Sequence, residues 1–159
     1  MWRKVYTMNI KIIKLEKHTE KTMNLLLLAD PSKEAINDYI KRGECYVACY
    51  NDSIVGICIL IDTRPLTKEI VNVSVEENYQ RKGIGKSLIL DAIDRSRKSN
   101  VKVLEIGTGN SSLHQLGLYQ KCGFRICSID KDFFKLHYNE KIIENGIECR
   151  DMIRLSLEL

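Results

Sequence analysis

The chain has 159 residues, 44% of them hydrophobic, and 25 basic against 21 acidic side chains give a net charge of +4. That is apolar material for one core in one domain, residues 1–159, and the mild, evenly spread charge argues against a nucleic-acid partner. Six cysteines at 45, 49, 58, 122, 127 and 149 form no C-x-x-C pair or zinc spacing, the N-terminal stretch is broken by charge too often for a signal-peptide core, and Leu25 to Leu28 is too short to span a bilayer, so a cytoplasmic chain without metal or membrane partner is expected.

In chain order, "NIKIIKL" at 9–15 reads as a first strand. Thr19 is placed to cap a short helix with Met23, Leu26 and Leu27 on one face. A second helix follows, with Asp30 as N-cap, Pro31 at its first position, Ala35, Ile36, Tyr39 and Ile40 at helical spacing, and Gly43 as its stop. "CYVACY" and "IVGICILI" flank the polar turn Asn51 to Ser53 and read as a hairpin. "EIVNVSV", residues 69–75, alternates, which puts Glu69, Val71, Val73 and Val75 on one side and Asn72 and Ser74 on the other. A helix begins at Gly83, with Ile84, Leu88, Ile89, Ala92 and Ile93 as its apolar face. "VKVLEIGTG" is a strand, and the helix after it carries a Ser112/Gln115 capping box and ends at Gly123. "FRICSID" and "IECRDMIRLSLEL" close the set.

The segment "YQRKGIGKSL", 79–88, sits between a strand and a helix N-terminus, where unpaired N–H groups and the helix dipole attract anions. It is not a nucleotide P-loop, because Gln80 stands where the first glycine belongs, nor a dinucleotide fingerprint, because Leu88 replaces the third glycine. Taken alone, it is equally an ordinary turn with surface lysines.

Together, "YQRKGIGKSL" with Gln80, Gly83 and Gly85 as Q-x-x-G-x-G, "LYQKCGF" at 118–124, and the hairpin "ACYNDSIVGICIL" resemble the signatures of the GCN5-related N-acetyltransferase superfamily. The resemblance implies an α+β fold: a mixed, mostly antiparallel central sheet of about seven strands with helices on both faces. It also implies acetyl-CoA as co-substrate, a primary amine as acceptor and direct transfer between the two. The backbone from Arg81 through Lys82, Gly83, Ile84 and Gly85 to Lys86 would hold the pyrophosphate, with Gln80 opening the motif. The backbone of Val73 and Val75 would meet the pantetheine arm, the Val73 N–H polarising the thioester carbonyl.

An ammonium must lose a proton before it attacks, and Glu69 resembles the family's general base, acting directly or through water. A charge at a strand end facing solvent is the alternative reading. Tyr119 matches the tyrosine that returns a proton to the departing thiolate, against a purely packing role. Where the family places an asparagine ahead of that tyrosine, this chain has Ser112, with Asn110 two residues earlier, so either contacts pantetheine. Cys122, with no histidine spaced to activate it, reads as core, and His114 as an exposed helix residue. The segment 131–148, with Asp132, Tyr138, Glu140 and Glu144, is a candidate to hold a small cationic amine. A protein lysine or N-terminal acceptor, a catalytically silent acyl-CoA-binding module, and a homodimer also remain open.

Overall fold

The computed structural model describes residues 8–159, so the N-terminal stretch Met1 to Thr7, read above as part of no signal peptide, lies outside the described residues. The elements are β1 (Lys11–Lys14), α1 (Glu20–Ala29), α2 (Lys33–Arg42), β2 (Glu44–Tyr50), β3 (Ser53–Arg64), β4 (Thr67–Val75), a 3₁₀ turn (Glu77–Tyr79), α3 (Ile84–Lys98), β5 (Val103–Gly109), α4 (Leu113–Lys121), β6 (Arg125–Asp130), α5 (Phe133–His137), β7 (Ile143–Glu144), β8 (Ile147–Glu148) and β9 (Met152–Glu158). Seven strands form one sheet in the order β1-β2-β3-β4-β5-β9-β6, and β7 and β8 form a separate small hairpin. Among the described residues, only β4 and β5 run parallel; every other neighbouring pair is antiparallel.

One core lies between the sheet and α3 and α4, where Ile84, Leu88, Ile89, Ala92 and Ile93 of α3 are all buried against Cys58, Leu60, Ile70, Leu104 and Ile106. The other lies beneath α1 and α2, where Leu25, Leu26, Ile36 and Tyr39 meet Val47, Ile57, Ile59 and Ile61. Among the described residues, no helix is long and apolar enough to cross a membrane.

Two helical expectations change. α1 buries Thr22, Leu25 and Leu26, leaving Met23 and Leu27 partly buried and Leu28 58% exposed. Four consecutive leucines fit several helical phases, and the one chosen places Thr22 in a reciprocal capping box with Thr19. α2 is capped by Ser32, whose hydroxyl accepts from the Ala35 N–H at 3.2 Å, while Asp30 accepts from the Ser32 N–H at 3.0 Å. Asp30, expected as the cap, therefore begins the turn two residues ahead of it, and Pro31 precedes the cap instead of opening the helix. The β2–β3 turn is as read: Asn51 and Asp52 both have positive φ, 47° and 62°, the pairing of a hairpin turn that follows strand twist.

β4 holds the change that matters most. Along β3, Ile59 faces Asn72 but the next residue, Leu60, faces Ile70, so Val71 is an extra residue in β4. The bulge resets the alternation. Ile70, Val73 and Val75 pack toward the α3 core, whereas Val71 lies toward α1 and α2 and Asn72 and Ser74 bond into α1. Glu69, one residue before Ile70, consequently shares its side with Asn72 and Ser74, not with Val73 and Val75 as strict alternation predicts.

Candidate active site

β4 and β5 pair only from Thr67↔Val103 to Ile70↔Ile106. Beyond Ile70 the strands part, and a fork opens in the middle of the sheet. The Glu76 N–H donates to the Val55 carbonyl on β3 at 2.8 Å. Backbone groups of a strand alternate sides, so the N–H groups of Val75 and Val73 point away from β3 and into the fork. The Val75 carbonyl, on that same outer side, accepts from the Gln80 side-chain amide at 2.9 Å. Gln80 thus ties the strand end to the loop that follows, and its side chain is spent on that tie.

At the mouth of the fork lies the start of α3. Gly83 is the N-cap, with φ +83°, a conformation that favours glycine, and a Cβ there would project into open space. A Cβ on Gly85 would stand 3.7 Å from Val75 and 4.0 Å from Leu118, in the gap between β4 and α4. Ser87 makes the first helical bond, to the Gly83 carbonyl at 3.0 Å. The N–H groups from Arg81 to Lys86 make no backbone hydrogen bond among the described residues, so six consecutive donors at a helix N-terminus stand free for an anion. Arg81, Lys82 and Lys86 are exposed. Lys82 curls back to the Asn78 carbonyl at 3.0 Å and over the Tyr79 ring.

Tyr119, on α4, is 5% exposed within the α3-side core. Burial pushes its hydroxyl well above the usual phenol range, with the Cys58 and Cys122 thiols adding to the effect. It therefore stays protonated at any ordinary pH and can act only as a proton donor. Burial also raises the neighbouring Cys122 thiol, partly offset by Lys86, which suits a packing residue and not a nucleophile.

Glu69 lies at the crotch of the fork, opposite Glu105 on β5, on the α1/α2 side of the sheet. Burial raises its carboxyl above the ordinary glutamate value, against the pull of Arg154, whose Nη1 is 3.3 Å away. Arg154 in turn bonds Asp130 through Nε at 2.7 Å and lies 5.7 Å from the centre of the Phe133 ring. Reading the sequence missed Arg154 and Asp130. Their signal was a lone cation inside the alternating apolar strand "MIRLSLEL", and only the tertiary fold brings it to Glu69 from 85 residues away.

On the same side, the Asn72 side-chain amide donates to the Leu26 carbonyl at 3.0 Å and to the Tyr39 hydroxyl at 2.8 Å. Tyr39 and Tyr138 both donate to Asp30, at 3.4 and 3.0 Å. Tyr138 thereby straps the 131–148 segment across to the α1–α2 junction. The Asn72 side-chain carbonyl is buried without a partner among the described residues, which a bound water or ligand N–H would satisfy.

The remaining sequence candidates have structural engagements. The Asn110 side chain accepts from the Arg150 and Asp151 N–H groups and donates to the Glu148 carbonyl, so it fixes the lead-in to β9 and keeps one amide N–H uncommitted. Ser112 is the N-cap of α4 without a side-chain cap bond; its hydroxyl goes to Glu144 at 3.0 Å in place of the expected capping box. Asp132 is held by Arg150 at 2.7 Å, and Glu140 is exposed. Of the four candidates in the 131–148 segment, Tyr138 is the one bonded to the α1–α2 junction, through Asp30. Among the described residues, no cluster of metal-ligating side chains occurs.

Comparison with known proteins adds the following likenesses. The model of the Acetyltransferase (GNAT) family matches residues 14–124. A Bacillus subtilis protein, the uncharacterized N-acetyltransferase YvbK, is 54% identical over 155 residues, covering 96% of this chain and 100% of its own. A Bacillus subtilis acetyltransferase solved in complex with CoA superposes with a TM-score of 0.92 at 55% identity, over 95% of this chain and 99% of that one. A GNAT family acetyltransferase from Elizabethkingia anophelis, with acetyl-CoA bound, gives 0.92 at 51% identity over the same shares.

Proposed function

This chain belongs to the acetyltransferase (GNAT) family, as an N-acetyltransferase, and from that premise we propose that it moves an acetyl group from acetyl-CoA to the primary amine of a small cationic acceptor, both bound at once. The observation that carries the reading is the fork with its free donors: Val73 and Val75 aimed into it, and six unpaired amides at its mouth. Bound there, the co-substrate would supply an activated acetyl thioester. The amides from Arg81 to Lys86 hold its pyrophosphate, and the space left by Gly83 and Gly85 admits it. The Val75 N–H aligns the pantetheine arm, and the Val73 N–H faces the carbonyl oxygen, where negative charge develops.

Glu69 takes the acceptor's proton. Val73 lies four positions farther along the strand, about 13 Å if fully extended, so the proton travels through water, beside the unpartnered Asn72 carbonyl. Tyr119 gives a proton to the leaving sulfur from the opposite side of the sheet. Acid and base are thus divided by the sheet and meet only through the fork.

For the acceptor, a groove of about 550 Å³ runs beside the end of β4, lined by Glu20, Lys21, Asn24, Leu25, Leu28, Glu76, Glu77 and Asn78, its three carboxylates outnumbering the one ammonium, Lys21, which lies 3.9 Å from Glu76. Carboxylates over an apolar floor suit a short alkyl amine carrying a second positive charge. The test is release of free CoA from acetyl-CoA against polyamines, aminoglycosides, amino acids, lysine peptides and N-terminal peptides. Turnover with small polycations is expected. Preference for the peptides would move the acceptor class to protein, and tight acetyl-CoA binding with no turnover on any amine, unchanged in Tyr119→Phe, would make this a silent binding module.

A further inference from the structure

The last strand of the sheet, β6, is an edge whose residues are exposed from Arg125 to Ile129, and among the described residues nothing but β9 hydrogen-bonds to it. Ile126 and Ile129 are 50% and 53% exposed. They face the same side because of a bulge. Ile126 sits opposite Leu155 and Ile129 opposite Ile153, with Cys127 as the extra residue between them. Regular alternation would have sent two residues three apart to opposite faces. Both now lie on the α3/α4 side, as Leu155 and Ile153 do, while Arg125, opposite Ser156, and Asp130, opposite Met152, lie on the α5 side.

The geometry points to β6 as the interface of a homodimer, in which two copies of the strand pair antiparallel about a two-fold axis perpendicular to the sheet. The strand reads Arg-Ile-Cys-Ser-Ile-Asp, and reversing it against itself sets Arg125 opposite the second copy's Asp130, Ile126 opposite Ile129, and Cys127 opposite Ser128. Such an axis keeps each side chain on its own face of the sheet. The two cation–carboxylate pairs then meet on the α5 side, and four isoleucines form one strip on the α4 side. An isologous contact requires this self-complementarity, and opposite charges and apolar pairs directly across two strands are the arrangements that stabilise a sheet. At the other edge, β1 carries Lys11 and Lys14, cations of the kind that discourage such pairing. The bulge interrupts the hydrogen-bond ladder at Cys127, so affinity rests on the flanking pairs 125–126 and 129–130.

Sedimentation equilibrium of the full chain over a wide concentration range tests this. A dimer is expected, weakened at least tenfold by Ile129→Asp and by Arg125→Asp but kept by Arg125→Lys. Arg125 is exposed and Arg125→Asp folds regardless, so the readout does not depend on the buried face. A monomer at all concentrations, a dimer indifferent to Arg125→Asp, or an Arg125→Lys loss as large as that of Arg125→Asp would each overturn the proposal.

Discussion

Replacing Arg154 with methionine isolates the electrostatics of Glu69. At the 3.3 Å separation of Arg154 Nη1 and Glu69 Oε1, and an effective dielectric of about 20, the Coulomb attraction is about 5 kcal/mol. Two features reduce that figure. Asp130 shares the guanidinium, and the side chains are 31% and 18% exposed. A working value of about 1.5 to 3 kcal/mol corresponds to about 1 to 2 pKa units.

The sign follows from the causes. Burial already raises the Glu69 carboxyl and Arg154 lowers it, so removing the cation raises it further. A base must be ionised, so its rate is lost as pH falls through its folded pKa. The acidic limb of kcat, measured at saturating acceptor by CoA release, moves up by about 1 to 2 pH units in Arg154→Met. Below the limb the variant is about 10- to 100-fold slower, and above it the two enzymes converge. Measuring kcat keeps the amine's solution pKa out of the comparison. A uniform drop at every pH with the limb unmoved would show that Arg154 acts by packing on Phe133 and that Glu69 is not the base.

Two further predictions concern the other side of the sheet. Tyr119→Phe removes a deeply buried hydroxyl whose shift has no hydrogen-bond contribution; kcat is expected to fall about 100-fold or more while thermal unfolding shows no loss of stability. An active Tyr119→Phe enzyme would leave the leaving sulfur to be protonated by water. Gly83→Ala forces a side chain to φ +83° and is expected to cost about 1 kcal/mol in denaturant unfolding. The same substitution disturbs the amide cradle, so calorimetric acetyl-CoA affinity should fall in step; a stability loss with affinity intact would place the pyrophosphate elsewhere.

What local sequence dictates, the chain's own letters announce. Helical spacing from Ile84 to Ile93, the Asn51–Asp52 turn, and glycines between a strand and a helix are consequences of near-neighbour sterics and burial, and each forms where the pattern puts it. The site on the backbone was legible for the same reason: a strand, a glycine loop and a helix start imply free amides whatever surrounds them. Side-chain chemistry was not. A period-2 pattern cannot register the extra residue at Val71, because a bulge is fixed by the partner strand's register, and that one residue moved Glu69 to the opposite face from Val73. Asn110 reads as a cofactor contact from its place before α4, and only the fold shows that its side chain also ties down the lead-in to β9. Arg154 meets Glu69 only because β9 inserts between β5 and β6. The sequence by itself determined where an anion can be held and which strand borders it; the tertiary structure decided which charges face each other across the fork, since electrostatic pairing depends on spatial proximity between residues far apart in the chain.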